Sequence, residues 1–137
     1  MTSVPSSPMN NNGKKRILVV DDDFNITELT QIILETAGYE CQTTNSGKEC
    51  VKLLGDRNGR FDLILLDVAM PGFSGLDVVN TVKEQKLFPL KRIVLFTASS
   101  APFLEDKEIK GIGVLDCFKK PFKKPDLLSA VQRYVTS

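Results

Sequence analysis

The segment 61–67, FDLILLD, decides the predicted fold because it is apolar almost throughout and ends on the carboxylate of Asp67. An apolar run without alternation is typical of a strand buried on both faces, as in a parallel sheet covered by helices. An Asp at the carboxyl end of such a strand lies in the crevice where open α/β sheets bind their ligands. Asp67 could equally open a turn, so the rest of the chain has to decide between these two interpretations.

Strand and helix signals alternate on both sides of this segment. Further strands are predicted at 17–20, 92–97 and 114–118, and a weaker one at 39–44. Five helices are predicted. Apolar spacing predicts the first, from Ile26, Leu29, Ile32, Ile33 and Ala37 with Gly38 as C-cap, and capping boxes at Ser46–Glu49 and Ser74–Asp77 predict the second and third. The fourth, at 103–112, is marginal, and the last is predicted from Pro125 at its first turn and the apolar residues Leu127, Leu128, Val131, Tyr134 and Val135. This alternation predicts parallel pairing, right-handed crossovers and a three-layer α/β/α sandwich. Residues 1–13 are rich in Ser, Pro and Asn, which predicts a disordered tail before one domain at 14–137.

Composition excludes several classes of function. Eighteen basic and 17 acidic residues give a net charge of +1, so no nucleic acid or anionic membrane partner is indicated. The absence of histidine removes Ser-His-Asp and Cys-His catalysis, His-ligated metal sites and any role as a phosphohistidine carrier. The three cysteines have no metal-ligand spacing, and the chain shows neither a secretory signal nor an apolar run long enough to span a membrane. A reducing cytoplasm is the expected location.

Polar side chains follow four of the predicted strands: Asp21 and Asp22, Asp67, Thr97, and Lys120. In a parallel sheet these strand ends share one edge, where three close carboxylates repel unless a cation lies among them. All-oxygen ligation suits magnesium. One Asp oxygen could then attack phosphorus to give an aspartyl phosphate, with the Lys120 ammonium and the Thr97 hydroxyl facing the phosphoryl oxygens.

Two neighbouring residues require a choice. Asp23 is predicted to cap the following helix rather than to bind metal, which is the ordinary use of Asp at that position. Lys119 competes with Lys120, but alternation along the strand points the two side chains to opposite faces. Lys120 is the predicted site residue because a Lys directly before Pro121 matches the motif of the family that the chain resembles, described in the next paragraph.

From about Lys15 onwards the chain resembles the receiver domain of two-component response regulators. The resemblance rests on ILVVDDD at 17–23, LILLDVAMPGFSGLDV at 63–78, IVLFTAS at 93–99 and FKKPF at 118–122, in that order. It implies the flavodoxin-like chemotaxis-regulator fold, with a five-stranded parallel sheet of order 2-1-3-4-5. It further implies a phosphoacceptor (Asp67), a direct Mg²⁺ ligand (Asp22), a ligand through water (Asp21), a ligating backbone carbonyl (Ala69), two groups on the phosphoryl oxygens (Thr97 and Lys120) and a cis Lys120–Pro121 bond. Mn²⁺ is the alternative metal.

The sequence departs from the family pattern three positions before Lys120. Receivers usually carry Tyr or Phe there, whose ring moves inward after phosphorylation, whereas this chain has Cys117 followed by Phe118. We expect Phe118 to pack in the core. The activated state would then be signalled by shifts around Thr97 without a ring flip.

The leading functional prediction is a signalling receiver rather than an enzyme, which catalyses only its own phosphorylation and dephosphorylation. It would accept phosphoryl from the phosphohistidine of a sensor histidine kinase or histidine phosphotransfer protein. By resemblance, it would bind a downstream protein at the face formed by the fourth predicted helix, the fifth strand and the last helix, without direct contact to nucleic acid or membrane.

Two alternatives stay open at this point. One is that the chain is the receiver half of a larger transcription factor or hybrid kinase. The other is an aspartyl-phosphate phosphohydrolase, suggested by the Asp21-x-Asp23 pattern after the first strand. The hydrolase is disfavoured because it would need a further acidic pair late in the chain and usually a cap domain, and neither is evident in the sequence.

Overall fold

Strands and helices alternate along the chain, as predicted. A computed structural model describes residues 13–56, 60–98 and 111–136; the tail predicted at 1–13, apart from Gly13, and most of the helix predicted at 103–112 lie outside these ranges. The elements are β1 (Arg16–Val20), α1 (Phe24–Thr36), β2 (Glu40–Thr44), α2 (Gly47–Gly55), β3 (Leu63–Asp67), α3 (Gly75–Gln85), a short 3₁₀ helix (Leu90–Arg92), β4 (Ile93–Ala98), β5 (Asp116–Lys120) and α4 (Lys124–Val135). No helix within the described ranges is long and apolar enough to cross a membrane.

The five strands form one parallel sheet in the order β2-β1-β3-β4-β5, which confirms the predicted topology. The strand order reverses at β1, which pairs with β2 on one side and with β3 on the other. Because Val20 pairs with Leu66, the residues that follow β1 lie beside the end of β3. This is the switch point at which open α/β sheets leave a crevice.

Alternating side chains of the strands build two cores, one on each face of the sheet. The first core packs α2 and α3 against the sheet and includes Leu18, Val20, Ile64, Leu66, Leu95, Cys50, Leu54, Val78 and Val82. The second packs α1 and α4 and includes Ile17, Val19, Leu63, Leu65, Phe96, Ile33, Leu34, Leu127 and Val131. All five residues of β3 are buried, as expected for a central strand covered by helices on both faces.

The helix α1 is where the prediction from spacing was partly wrong. The helix itself forms, but Leu29 and Ile32 are exposed, and Thr27 and Thr30 are buried beside Ile33. Burial of Thr27 is tolerated because its hydroxyl donates to the Phe24 carbonyl at 3.0 Å and accepts from Asn45 at 3.1 Å. Hydrophobicity alone therefore selected the wrong face.

Several predicted boundaries also move. Strand β5 begins and ends two residues later than predicted because Asp116 pairs with Val94, which places Lys119 and Lys120 inside the strand. Helix α1 ends at Thr36 with Ala37 as its cap, and Gly38 follows with a positive φ of 100°. The capping box predicted at Ser74–Asp77 is confirmed in both of its hydrogen bonds. Ser46 caps α2 by accepting the Glu49 N–H, but its own N–H donates to Thr44 Oγ1, so only half of the predicted box forms there.

Gly75 allows α3 to begin directly against the end of β3. A Cβ at this position would overlap the Asp67 carbonyl oxygen and lie 2.8 Å from the Val68 Cα, and backbone atoms cannot move aside cheaply. We expect Gly75→Ala to lower the free energy of unfolding by about 1–3 kcal/mol, measured by urea denaturation. The control is Gly55→Ala at the end of α2, where nothing lies within 4 Å of the added Cβ. Equal effects of the two substitutions would contradict this packing.

Candidate phosphorylation site

Three carboxylates meet at the carboxyl edge of the sheet. Asp21 follows β1, Asp67 ends β3, and both are buried, whereas Asp22 is exposed beside them. One oxygen from each lies within 4.8 Å of the others. The structure thus brings together the acidic residues that the sequence predicted for this edge.

Lys120 supplies the positive charge of the cluster. Its Nζ lies 2.7 Å from Asp21 Oδ2 and 3.5 Å from Asp67 Oδ1. Burial alone would lower the pKa of this ammonium, but its hydrogen bonds and ion pairs with the two aspartates outweigh burial and raise the pKa. The neighbouring Lys119 is exposed, as strand alternation predicts, and the Lys120–Pro121 bond is cis, as expected.

Among the described residues of this cluster, negative charge nevertheless exceeds positive charge. Burial, and next the charge of Asp21, raise the pKa of Asp67 to about 6, although Lys120 and the Ala69 N–H, 3.4 Å from Asp67 Oδ1, act in the opposite direction. Three carboxylate oxygens with one balancing ammonium fit a small divalent cation, because oxygen donors are what magnesium prefers. The role of the Ala69 carbonyl as a metal ligand stays a prediction.

Asn45 supports the cluster and was not identified from the sequence. Its side-chain N–H donates to the Asp21 carbonyl at 2.8 Å and to Thr27 Oγ1 at 3.1 Å, and so joins the end of β2 to the start of α1. Asp21 Oδ1 in turn accepts the Asp23 N–H at 3.0 Å. An amide directly after β2 would have been a usable signal, but only once β2 was known to lie beside β1. Asp23 caps α1, as predicted.

Thr97 lies at the same edge and is buried. Its hydroxyl accepts a hydrogen bond from the Cys117 thiol at 3.9 Å, and Cys117 lies outside the acidic cluster. Phe118 lies on the opposite face of the sheet, with ring centroids 5.3 Å from Phe96 and 6.1 Å from Phe122. The expectation that Phe118 packs in the core is confirmed. From β5, Lys119 pairs with Thr97 in the sheet, and the Cys117 thiol contacts the Thr97 hydroxyl.

A cavity of about 280 Å³ opens beside the cluster, between the loops that follow β1, β2 and β3. It is lined by Asp22, Asn45, Ser46, Gly47, Lys48, Met70, Pro71, Gly72 and Phe73. Asp22 is therefore reached from solvent, while Asp21 and Asp67 lie behind it.

The raised pKa of Asp67 gives a pH dependence with a defined sign. Since the pKa rises from 3.8 to about 6 on folding, the folded state holds this proton more tightly, and the free energy of unfolding falls as pH rises through that interval. In EDTA at pH 7, Asp67→Asn should therefore be more stable than wild type by roughly 2–3 kcal/mol, and the gain should disappear below about pH 4. Urea denaturation at both pH values measures this.

The matched control is Asp23→Asn, which removes the same charge at the exposed start of α1 and keeps a good N-cap. It should show no comparable gain at pH 7. A wild type that is the more stable protein at pH 7 in EDTA would contradict the electrostatic description of Asp67.

Comparison with known proteins agrees with this geometry. The family "Response regulator receiver domain" matches residues 17–132. The phosphate regulon transcriptional regulatory protein PhoB of Pseudomonas aeruginosa is 35% identical over 120 residues, which cover 86% of this chain and 50% of PhoB. The chain spans about half the length of the curated relatives that it matches first.

Solved structures show the same fold. The chemotaxis protein CheY4 of Vibrio cholerae is 30% identical with a TM-score of 0.77, covering 89% of this chain and 99% of that one. TrrA of Thermotoga maritima, crystallised with Mg²⁺-BeF, is 34% identical with a TM-score of 0.71, covering 88% and 98% of the two chains. The chain therefore belongs to the receiver domains of two-component response regulators.

Proposed function

We propose that Asp67 accepts a phosphoryl group from the phosphohistidine of a sensor histidine kinase or histidine phosphotransfer protein, in the presence of Mg²⁺. The observation that carries this proposal is the convergence of Asp21, Asp22, Asp67 and Lys120 at one edge of the sheet. The chain would catalyse only its own phosphorylation and dephosphorylation. Three free cysteines suit a cytoplasmic location.

Oxygen atoms of Asp21, Asp22 and Asp67, with the backbone carbonyl of Ala69, would hold the metal ion. When bound, Mg²⁺ or Mn²⁺ would neutralise the excess negative charge of the cluster and of the incoming phosphoryl oxygens. Proton binding competes with this role, because Asp67 is protonated below its pKa of about 6.

In the transfer step, a carboxylate oxygen of Asp67 forms a bond to phosphorus as the phosphorus–nitrogen bond of the donor breaks. The electron pair of that bond returns to the imidazole nitrogen. Lys120, already 3.5 Å from Asp67 Oδ1, would pair with the new phosphoryl oxygens. The Cys117 thiol occupies only an acceptor position of Thr97 Oγ1, so the hydroxyl proton can be donated to a phosphoryl oxygen.

This donation would link the site to β5. Thr97 is buried, so a turn of its hydroxyl towards a phosphoryl group changes its contact with Cys117. We propose that this shift, without a ring flip, alters the downstream protein's binding face, which includes β5 and α4. The predicted third part of that face, at 103–112, lies mostly outside the described residues.

The phosphodonor is proposed to dock on α1. Phe24 is 63% exposed, Leu29 50% and Ile32 57%, and such large apolar side chains on a surface often mark a site of protein binding. The helix α1 begins directly after Asp22 and Asp23, so this exposed surface starts beside the acidic cluster. Leu29 and Ile32 are three residues apart and share one side of the helix. A donor that reaches Asp67 would cover this surface.

The first experiment incubates the protein with Mg²⁺ and acetyl phosphate and measures intact mass. Wild type should gain one phosphoryl group, Asp67→Asn should gain none, and EDTA should suppress the reaction. Asp23→Asn, which retains the N-cap, should react like wild type. Labelling of Asp67→Asn to the wild-type extent would refute the assignment of the phosphoacceptor.

The second experiment tests the docking surface. Purified, autophosphorylated histidine kinases of the source organism are first profiled for the fastest donor. Leu29→Gln with Ile32→Gln should then slow transfer from that kinase by about tenfold, through the loss of roughly 1–2 kcal/mol of apolar contact. The same variant should react normally with acetyl phosphate, because both side chains are exposed in the free protein. Unchanged transfer from the kinase would exclude α1 as the docking surface.

A further inference from the structure

A second surface feature lies away from the acidic cluster, between the end of α3 and the start of β4. It is a groove with a cavity volume of about 420 Å³, lined by Val82, Lys83, Lys86, Leu87, Phe88, Pro89 and Leu90. Leu87, Phe88 and Leu90 are half-buried and pack against the core that α2 and α3 share, so they form an apolar floor. Lys83 and Lys86 are exposed on the rim.

The surroundings of this groove are positively charged although the chain as a whole is nearly neutral. Residues 83–92, KEQKLFPLKR, contain four basic side chains and one acidic one. Lys91 and Arg92 are exposed next to the groove, and the Arg92 guanidinium donates to the Asp62 carbonyl at 3.4 Å. A bound ligand is therefore expected to be anionic.

Backbone hydrogen bonds fix the shape of the groove. Lys86 ends α3 in the left-handed region at φ 54°, and both its N–H and that of Leu87 donate to the Val82 carbonyl. Arg92 donates to the Pro89 carbonyl at 3.0 Å, which closes the 3₁₀ turn on the other side. The groove is thus formed before any ligand binds, which reduces the entropy lost on binding.

We propose that this groove binds an acidic segment of a partner protein that carries one large apolar side chain. The apolar side chain would lie over Leu87, Phe88 and Leu90, and carboxylates on either side would pair with Lys83 and Lys86. A cavity of this size falls within the range of ligand-binding clefts. A nucleic acid duplex keeps its bases stacked inside the helix and so presents phosphates without an apolar group for the floor, and a membrane surface is too flat to enter the concavity.

The position of the groove predicts its role. The groove adjoins the start of β4, where Ile93 pairs with Ile64, whereas Asp67 pairs with Phe96 three residues further along. That distance is about 10 Å along the strands, at the opposite edge of the sheet. A segment in the groove leaves the phosphorylation edge open, so binding should be independent of phosphorylation and should keep the partner at high local concentration.

The test uses a fluorescein-labelled, glutamate-rich peptide with one central phenylalanine, and a second peptide with alanine at that position. Fluorescence anisotropy measures the affinity of the unphosphorylated protein, so failure of phosphorylation would not affect the result. Lys83→Glu with Lys86→Glu should weaken binding of the phenylalanine peptide by about tenfold. The matched control, Lys15→Glu with Lys52→Glu, reverses two exposed charges outside the groove and should leave the affinity unchanged.

Three further results are expected. The alanine peptide should bind more weakly than the phenylalanine peptide, Leu90→Ala should reduce that difference, and treatment with Mg²⁺ and acetyl phosphate should not alter the affinity. The proposal is overturned if the control pair weakens binding equally, if the alanine peptide binds as well, or if phosphorylation changes the affinity. It is also overturned if a DNA duplex or phosphatidylglycerol vesicles bind this surface and the peptide does not.

Discussion

Repulsion between buried carboxylates is the constraint on which the rest of this structure depends. Asp21 and Asp67 are nearly inaccessible to solvent, lie close together with Asp22, and share the single ammonium of Lys120. Such an arrangement costs free energy in the absence of a further cation, as the raised pKa of Asp67 reflects. Binding of a cation would relieve this repulsion, so the cluster favours positive charge. The metal-dependent chemistry proposed for Asp67 follows from that property.

The sheet holds these charges in place through backbone geometry. Parallel pairing of β1 with β3 sets the ends of the two strands side by side, and Gly75 lets α3 begin against the Asp67 carbonyl. Asn45, in the loop that follows β2, donates a hydrogen bond to the Asp21 carbonyl and so holds the Asp21 backbone. Strand pairing and hydrogen bonds therefore hold the backbone where the charges meet, while the exposed Asp22 and the adjoining cavity give access from solvent.

The two faces of the sheet divide the roles of adjacent residues in β5. Phe118 joins Phe96 and Phe122 in an aromatic cluster, whereas Cys117 meets Thr97 on the other face. A thiol is a smaller and weaker hydrogen-bonding partner than an aromatic ring with a hydroxyl, so the proposed coupling between the site and β5 would rest on the contact between Cys117 and Thr97 and not on the movement of a large ring. The basic groove at the opposite sheet edge is separate from this coupling.

The sequence by itself determined the alternation of strands and helices, the acidic and basic strand ends and the capping residues, because each depends on local signals: apolar runs, residues at strand termini, and hydroxyls or carboxylates before helices. The strand order was predicted only from the resemblance to receiver domains, because strand pairing joins distant parts of the chain. It did not determine which face of α1 is buried, the register of β5 or the support from Asn45. Leu29 and Ile32 are exposed and Thr27 is buried because neighbouring elements satisfy a hydroxyl and leave apolar side chains uncovered. Only the tertiary structure decides such cases, since the partners that satisfy or cover a side chain come from distant parts of the chain.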